Sequence, residues 1–303
     1  KENLMYRLCH FYSARVCSCI RRAKAAMAST AGKRRGGFSL AAAAQPQPAK
    51  KTPKVKDLMV GELRMLDPSS AVRDKLVHNI AGPILAIDVE THAFVPNHVP
   101  IPEWHTGRFG VQTKLLEGDL EALHVIQVGW TCGEIGAGKP AQEAKYIKAN
   151  GFSITTEAAA THGITDEHLA TYGMPMRVVL SELVEVARAV HQQQGRLCSH
   201  NLEFDAGLVA VELARADMQE EARVWAEITR DGLCTMDPDV GYWVRKSIGA
   251  WDVSRNVPMR LADMVRALLP DAGALLARHH DAGNDSLMHW LVATALVRAC
   301  QPS

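Results

Sequence analysis

ILAIDVETH, residues Ile84 to His92, runs four apolar residues into a pair of acids, Asp88 and Glu90. An aliphatic run of this length reads as a buried strand. Side chains two apart on a strand share a face, so Asp88 and Glu90 project together. Two like charges side by side in a buried place are costly unless cations neutralise them. Hard carboxylate oxygens suit Mg2+ or Mn2+. D-x-E is also a common pairing. Taken alone, the stretch is more simply a strand end with one capping acid and one solvated acid.

Outward from this strand the pattern stays regular. Ala122–Cys132 reads as a second, partly alternating strand and Ala144–Ile154 as a third. Arg177–Val190 is an amphipathic helix, Gly195–Asn201 a short strand ending in polar residues, and Phe204–Met218 a helix. Gly232–Met236 is a brief strand, and Met259–Leu269 and Ser286–Cys300 are helices. Three strands, then alternating helix and strand, then helices, predict an α/β mixed sheet with helices on its faces. There is no internal repeat. Residues 92–121 form a long Pro- and His-containing insertion between the first two strands. Loops of that length are uncommon and often functional. This one carries no motif, which favours a surface insertion over a lid.

The near-zero net charge conceals two halves of opposite sign. Residues 1–56 carry thirteen Lys or Arg against one acid, Glu2; the remainder carries 21 basic and 32 acidic residues. The arm is rich in Ala, Ser, Arg and Lys and cannot bury enough apolar area to offset chain entropy, so it is expected to be disordered. Its acid-free, Arg- and Ser-bearing stretch Met5–Met27 resembles an organelle transit peptide, which implies a mitochondrion or plastid. GKRR and KKTPKVK offer nuclear import as the alternative, and a plain solvated tail in the nucleus or cytoplasm is the third. The chain begins with Lys rather than Met, so its natural start is expected to be missing or altered. Residues 57–83 read as a lead-in to a body at 84–300. The seven cysteines form no CxxC pair and read as reduced thiols. No apolar run is long enough for a membrane span, so no stable membrane insertion is expected.

Partners for the two acids lie far along the chain. CSHNLEFDAG, Cys198–Gly207, sets Asp205 at the start of a helix, after Asn201 and Phe204. RHHDAGNDSLMHWL, Arg278–Leu291, sets His280 five residues before Asp285. Five residues on one helix would put them about 140° apart. They converge if His280 lies in the loop and Asp281 serves as the N-cap. Each piece alone has a bland reading: a helix-start acid held by the dipole, or a surface histidine pair.

Their order, D-x-E, then N-x-x-F-D, then H-x4-D, resembles the DEDDh (DnaQ-like) 3′→5′ exonucleases. Asp88-Val89-Glu90-Thr91 matches the first motif, His200-Asn201-Leu202-Glu203-Phe204-Asp205 the second, and His280, Ala282 and Asp285 the third. Thr161–Leu169 (THGITDEHL) and the RLADM helix start also look familiar. His92 and Ser286 depart from the usual neighbours of the first and last motifs, and the 92–121 insertion exceeds the family's usual turn. The resemblance covers about Ile84 to Cys300. It implies a ribonuclease H-like five-stranded mixed sheet with helices on both faces. It also implies that Asp88, Glu90, Asp205 and Asp285 hold two Mg2+ or Mn2+ ions, with Asp88 bridging, and that His280 is the general base. Thr91 and Asn201 become candidate substrate contacts, although Asn201 more simply orders the turn before Asp205. Phe204 is expected in the core, His162 beside the site stabilising a loop, and His279 as a bystander. The implied activity is metal-dependent hydrolysis of single-stranded RNA or DNA from its 3′ end, releasing nucleoside monophosphates. The alternatives are a non-catalytic nucleic-acid-binding module on the same fold and an interaction protein with a solvated acidic face.

Overall fold

A computed structural model describes residues 65–77, 80–94, 105–106, 112–113, 120–136, 139–250, 257–269 and 271–301. The basic arm, and with it the targeting question and three of the cysteines, lies outside the described residues, as does most of the 92–121 insertion. Within the insertion the described residues include a short antiparallel ribbon, β2 (His105–Thr106) with β3 (Gln112–Thr113).

Strand β1 (Ile84–Thr91) is the middle of the sheet. It pairs antiparallel with β4 (Val125–Gly133) along its whole length, and β4 pairs antiparallel with β5 (Ala141–Tyr146). On its other side β1 pairs parallel with β6 (Arg196–Ser199) over Ile84–Ala86 only, and β6 pairs parallel with β7 (Leu233–Cys234). The five-stranded order is therefore β5-β4-β1-β6-β7. The mixed sheet with helices on both faces is as the sequence led one to expect.

Alternation along β1 sorts the two cores. Leu85, Ile87 and Val89 face one cluster, with helices α4 (Met176–Gln192), α5 (Leu202–Arg215) and α6 (Gln219–Arg230). Ile84 and Ala86 face the other, with α7 (Pro238–Ser247), α8 (Leu261–Leu268) and the long α10 (Ala282–Cys300). Helix α4 shows why the period settles the face: Val179, Leu180, Leu183, Val184, Ala187 and Val190 recur every three or four residues and are all buried. Helix α1 (Ser70–Val77), in the lead-in, sends Val72 and Leu76 into the second core, and Arg73 Nη1 donates to the Cys300 carbonyl, 2.7 Å away, at the end of α10.

Several elements escaped the sequence. Helices α2 (Thr156–His162) and α3 (Asp166–Tyr172) span barely two turns, too short to show a period. Their caps define them instead: Thr155 caps α2, and Thr165 with His168 forms a capping box on α3. Helix α6 is mostly polar, with Trp225, Ile228 and Thr229 its buried residues. Helix α7 starts on the Asp237 cap with Pro238. The short α9 (Gly273–Leu276) precedes the third motif. The third strand lies earlier than expected and stops at Tyr146; Ile147 follows it, donating to the Ile126 carbonyl at 2.8 Å and forming an isolated parallel bridge with Met174. Cys132, Cys198, Cys234 and Cys300 are free thiols. Among the described residues no helix is long and apolar enough to cross a membrane.

Candidate active site

The site begins where β6 ends. Strand β1 runs on to Thr91, but β6 stops at Ser199 and the chain turns into α5. The backbone of β1 is thus left without a strand neighbour beyond Ala86 on that side. Asp205, in the first turn of α5, takes the place of the missing strand: its Oδ1 accepts from Val89 N at 3.2 Å. Its Oδ2 accepts from the Ser199 hydroxyl. A crevice therefore opens outside the carboxyl ends of β1 and β6, where binding clefts of open α/β sheets lie.

Helix α10 closes the crevice from the opposite face. Its N-terminus rests directly on β4, because Gly129 has no side chain: a Cβ there would stand 2.0 Å from the Ala282 carbonyl oxygen. Gln127 Oε1 accepts from Ala282 N at 3.0 Å, and Gln142 donates to the Gly283 carbonyl. Thr131 and Ser286 share a buried hydroxyl contact at 3.0 Å. Asp281 is the N-cap, its side chain accepting from Asn284 N at 2.9 Å, so the sequence assigned the cap correctly. His280 sits just before it with φ +69. Asp285 then falls in the first turn, aimed at the sheet.

The outcome is convergence. One ligand oxygen from each of Asp88, Glu90 and Asp285 lies within 4.8 Å of the others. Asp205 stands beside them, held by Val89 and Ser199, and its charge adds to theirs. Burial, then the charges of Asp205, Asp285 and Glu90, push Asp88 well above the carboxylate range. Burial, then the charges of Asp285, Asp205 and Asp281, raise Glu90 to about 8. For Asp205, burial outweighs its two hydrogen bonds and raises it to about 7. Among the described residues no Lys or Arg lines the cleft, which encloses about 270 Å³. A partly buried set of carboxylate oxygens with no Lys or Arg against it fits a hard divalent cation.

This crowding has a measurable consequence. A carboxyl whose folded pKa exceeds its unfolded value holds its proton longer in the native state, so stability falls as pH rises towards the folded pKa. Buried His200 and His289, lowered to about 3 and about 4 mainly by burial, act in the opposite sense, but only below the ordinary histidine range. Between about pH 6.5 and pH 8 the acids act unopposed by these histidines. The melting temperature in chelator should therefore drop across that window, and Mg2+ or Mn2+ should flatten the slope. A calorimetric series with a level baseline in chelator would remove the crowding argument.

The histidines distribute differently from expectation. His279, expected to be a bystander, is the ring that touches the acid: its Nδ1 bonds Asp285 Oδ2 at 2.8 Å, a bond that raises its pKa. His280 reaches Asp285 through its backbone N–H, at 3.0 Å. Its exposed ring stacks on His279, with centroids 4.0 Å apart and planes at 17°. Partial burial, then His279, lower the His280 pKa, with Asp285 offsetting in part. The left-handed turn at His280 decides which ring faces the acid, and spacing alone does not encode it. His289 was missed altogether. It lies four residues after Asp285 on the same helix face, donates through Nδ1 to the Ile87 carbonyl at 2.8 Å, and places Nε2 3.6 Å from Asp88 Oδ1. The D-x3-H spacing was its available signal.

The remaining residues are placed as follows. Thr91 spends its hydroxyl on the Ala93 carbonyl at 2.7 Å, and its own carbonyl meets His162 Nε2 at 3.3 Å, so His162 does stabilise the strand end beside the site. Asn201 orders the turn through its carbonyl, which accepts from Phe204 N and Asp205 N. It also lines the cleft, and its Oδ1 is buried without a hydrogen-bond partner. Phe204 is half-buried: it packs on the first core and also lines the cleft. His200 is fully engaged, with Thr235 Oγ1 at 2.9 Å and the Met259 carbonyl at 2.8 Å.

No family model matches this sequence, and no curated protein matches it. Among solved structures the chain is similar to Exonuclease I of E. coli in complex with a dT13 oligonucleotide, at 14% identity and a TM-score of 0.48, over 70% of this chain and 40% of that one. It is similar also to a moderately thermophilic Exonuclease I from Methylocaldum szegediense, at 14% identity and TM-score 0.48, over 71% of this chain and 40% of that one. A product-bound exonuclease I aligns at 13% identity and TM-score 0.46, over 72% of this chain and 43% of that one. This chain thus spans about two fifths of the length of the structures it is similar to.

Proposed function

We propose that the chain is a divalent-metal-dependent 3′→5′ exonuclease acting on single-stranded RNA or DNA. The observation that carries this reading is the convergence of Asp88, Glu90 and Asp285 within 4.8 Å, with the buried Asp205 alongside. Asp88, Glu90, Asp205 and Asp285 would hold two Mg2+ or Mn2+ ions. Such ions polarise a phosphodiester and lower the pKa of bound water.

The chain's own residues have definable tasks. His280, exposed at the cleft and held below its ordinary pKa, is the base that takes a proton from the attacking water. The water oxygen bonds to phosphorus, the bond from phosphorus to the upstream 3′ oxygen breaks, and that oxygen leaves with a proton. The product is a nucleoside 5′-monophosphate. Ser199 holds Asp205 in place, His289 stands beside Asp88, and Asn201 and Thr91 line the cleft where the terminal nucleotide enters. The 3′ polarity rests on the motif resemblance. Sugar preference depends on contacts to the 2′-hydroxyl.

The deciding experiment incubates the full chain with 5′-labelled single-stranded RNA and DNA, in Mg2+, in Mn2+ and in chelator. A ladder shortening from the 3′ end in metal alone is expected. A chain that binds the strands and leaves them intact is the non-catalytic binding module instead. His280→Asn tests the base. Asn tolerates the left-handed backbone there better than Ala does. Activity should fall by about 10²–10⁴-fold with metal-induced stabilisation retained. Full activity of His280→Asn from pH 6 to 8 would dismiss His280 as the base.

A further inference from the structure

We infer that Tyr146, His168 and Tyr172 form a stacking platform for bases of the single strand lying two or more nucleotides upstream of the one being cleaved. This site rests on the proposed function and adds to it a second place where the strand is held.

The sheet register locates it. Glu90 of β1 pairs with Gln127 of β4, and Gln127 pairs with Tyr146 of β5. Residues directly paired on neighbouring strands project from the same face. The contact of Gln127 with Ala282 N marks that face as the one covered by the start of α10. Strands lie about 4.8 Å apart, so Tyr146 stands about 10 Å from Glu90 along one row. The Tyr146 hydroxyl also feels Asp281 and Arg278, which flank His279 and His280. The platform therefore adjoins the loop that carries the proposed base.

The rings are close and held. Tyr146 and His168 have centroids 6.4 Å apart at 22°; Tyr172 lies 6.5 Å from each. Tyr146 packs on the small core of Ile126, Ile164 and Leu169. His168 is fixed because its Nδ1 accepts from Thr165 N in the capping box. Tyr172, the last residue of α3, is 62% exposed and offers an open face. An aromatic surface already held in place loses little freedom when it binds.

The charge balance says why a nucleic-acid strand needs such a place. The cleft concentrates acids and has no Lys or Arg in its lining among the described residues. The cleft's own side chains thus give a polyanion no attraction. Stacking supplies affinity without charge, and every base has a face to stack, whatever the sequence.

The test compares a ten-nucleotide strand with a dinucleotide, in Mg2+, on the full chain. Tyr172→Ala should raise KM for the ten-mer at least about tenfold more than KM for the dinucleotide, since one stacked base is worth that much affinity. Tyr172→Trp should restore most of the loss, and both variants should melt like the parent. Equal KM changes on the two substrates, or none, overturn the platform alone. A parent chain that shortens neither strand overturns the platform together with the exonuclease reading.

Discussion

Asp88→Asn should lose hydrolysis by about three orders of magnitude and, in chelator at pH 8, melt at a higher temperature than the parent. The two effects share one cause. Burial raises the proton affinity of Asp88, and so do the charges of Asp205, Asp285, Glu90 and Asp281. Asn keeps the shape and removes the charge. Two opposite unit charges about 4 Å apart, at an effective dielectric near 20, attract by about 4 kcal/mol, and a divalent ion is attracted at least as strongly. That corresponds to about 10³-fold in rate when the charge is needed in the transition state. In chelator the same charge only repels Glu90, Asp205 and Asp285, so its loss stabilises. The local fit tolerates the amide: His289 gives its Nδ1 proton to Ile87, which leaves Nε2 as an acceptor for the new amide group. Rate assays and calorimetry on one preparation decide the matter. A variant as active as the parent removes Asp88 from the chemistry, and a lower melting temperature in chelator contradicts the repulsion.

Gly129→Ala should cost both stability and rate, although Gly129 bears no functional group. An added Cβ would lie 2.0 Å from the Ala282 oxygen, 2.1 Å from its carbonyl carbon and 2.5 Å from Gly283 N. All three are backbone atoms, so no rotamer relieves the clash and the start of α10 must move away from the sheet. Overpacking of this kind costs about 1–3 kcal/mol or more. The displaced turn carries Asp285, with His279 and His280 just ahead of it. A misplacement of about 1 Å at such a site costs about 10²-fold in rate. Gly273→Ala is the control, because a Cβ there meets nothing within 4 Å and its φ is not left-handed. Chemical unfolding and rate measurements on both variants check the claim; a Gly129→Ala chain matching the control would show that close approach does not set the site.

At Asp205 the hydrogen bonds decide which substitution is informative. Its carboxylate closes two hydrogen bonds, to Val89 N and the Ser199 hydroxyl, so Ala would orphan a buried backbone donor. Asn retains an acceptor for Val89 and still removes the charge, which makes it the informative substitution.

Taken by itself, the sequence determined which residues carry charge into the interior and which faces are apolar. Asp88 and Glu90 share a face because a strand has period two, and α4 buries one stripe because a helix has period near 3.6. Both are local facts of backbone geometry, legible over a few residues. Only the tertiary structure decided that Asp285 meets Asp88 and Glu90, that His279 rather than His280 turns its ring to Asp285, and that Tyr146 shares a row with Glu90. Those outcomes depend on strand register, on one left-handed backbone angle and on a helix start fitting over Gly129. Each is set by contacts between segments far apart along the chain, and no local period encodes them.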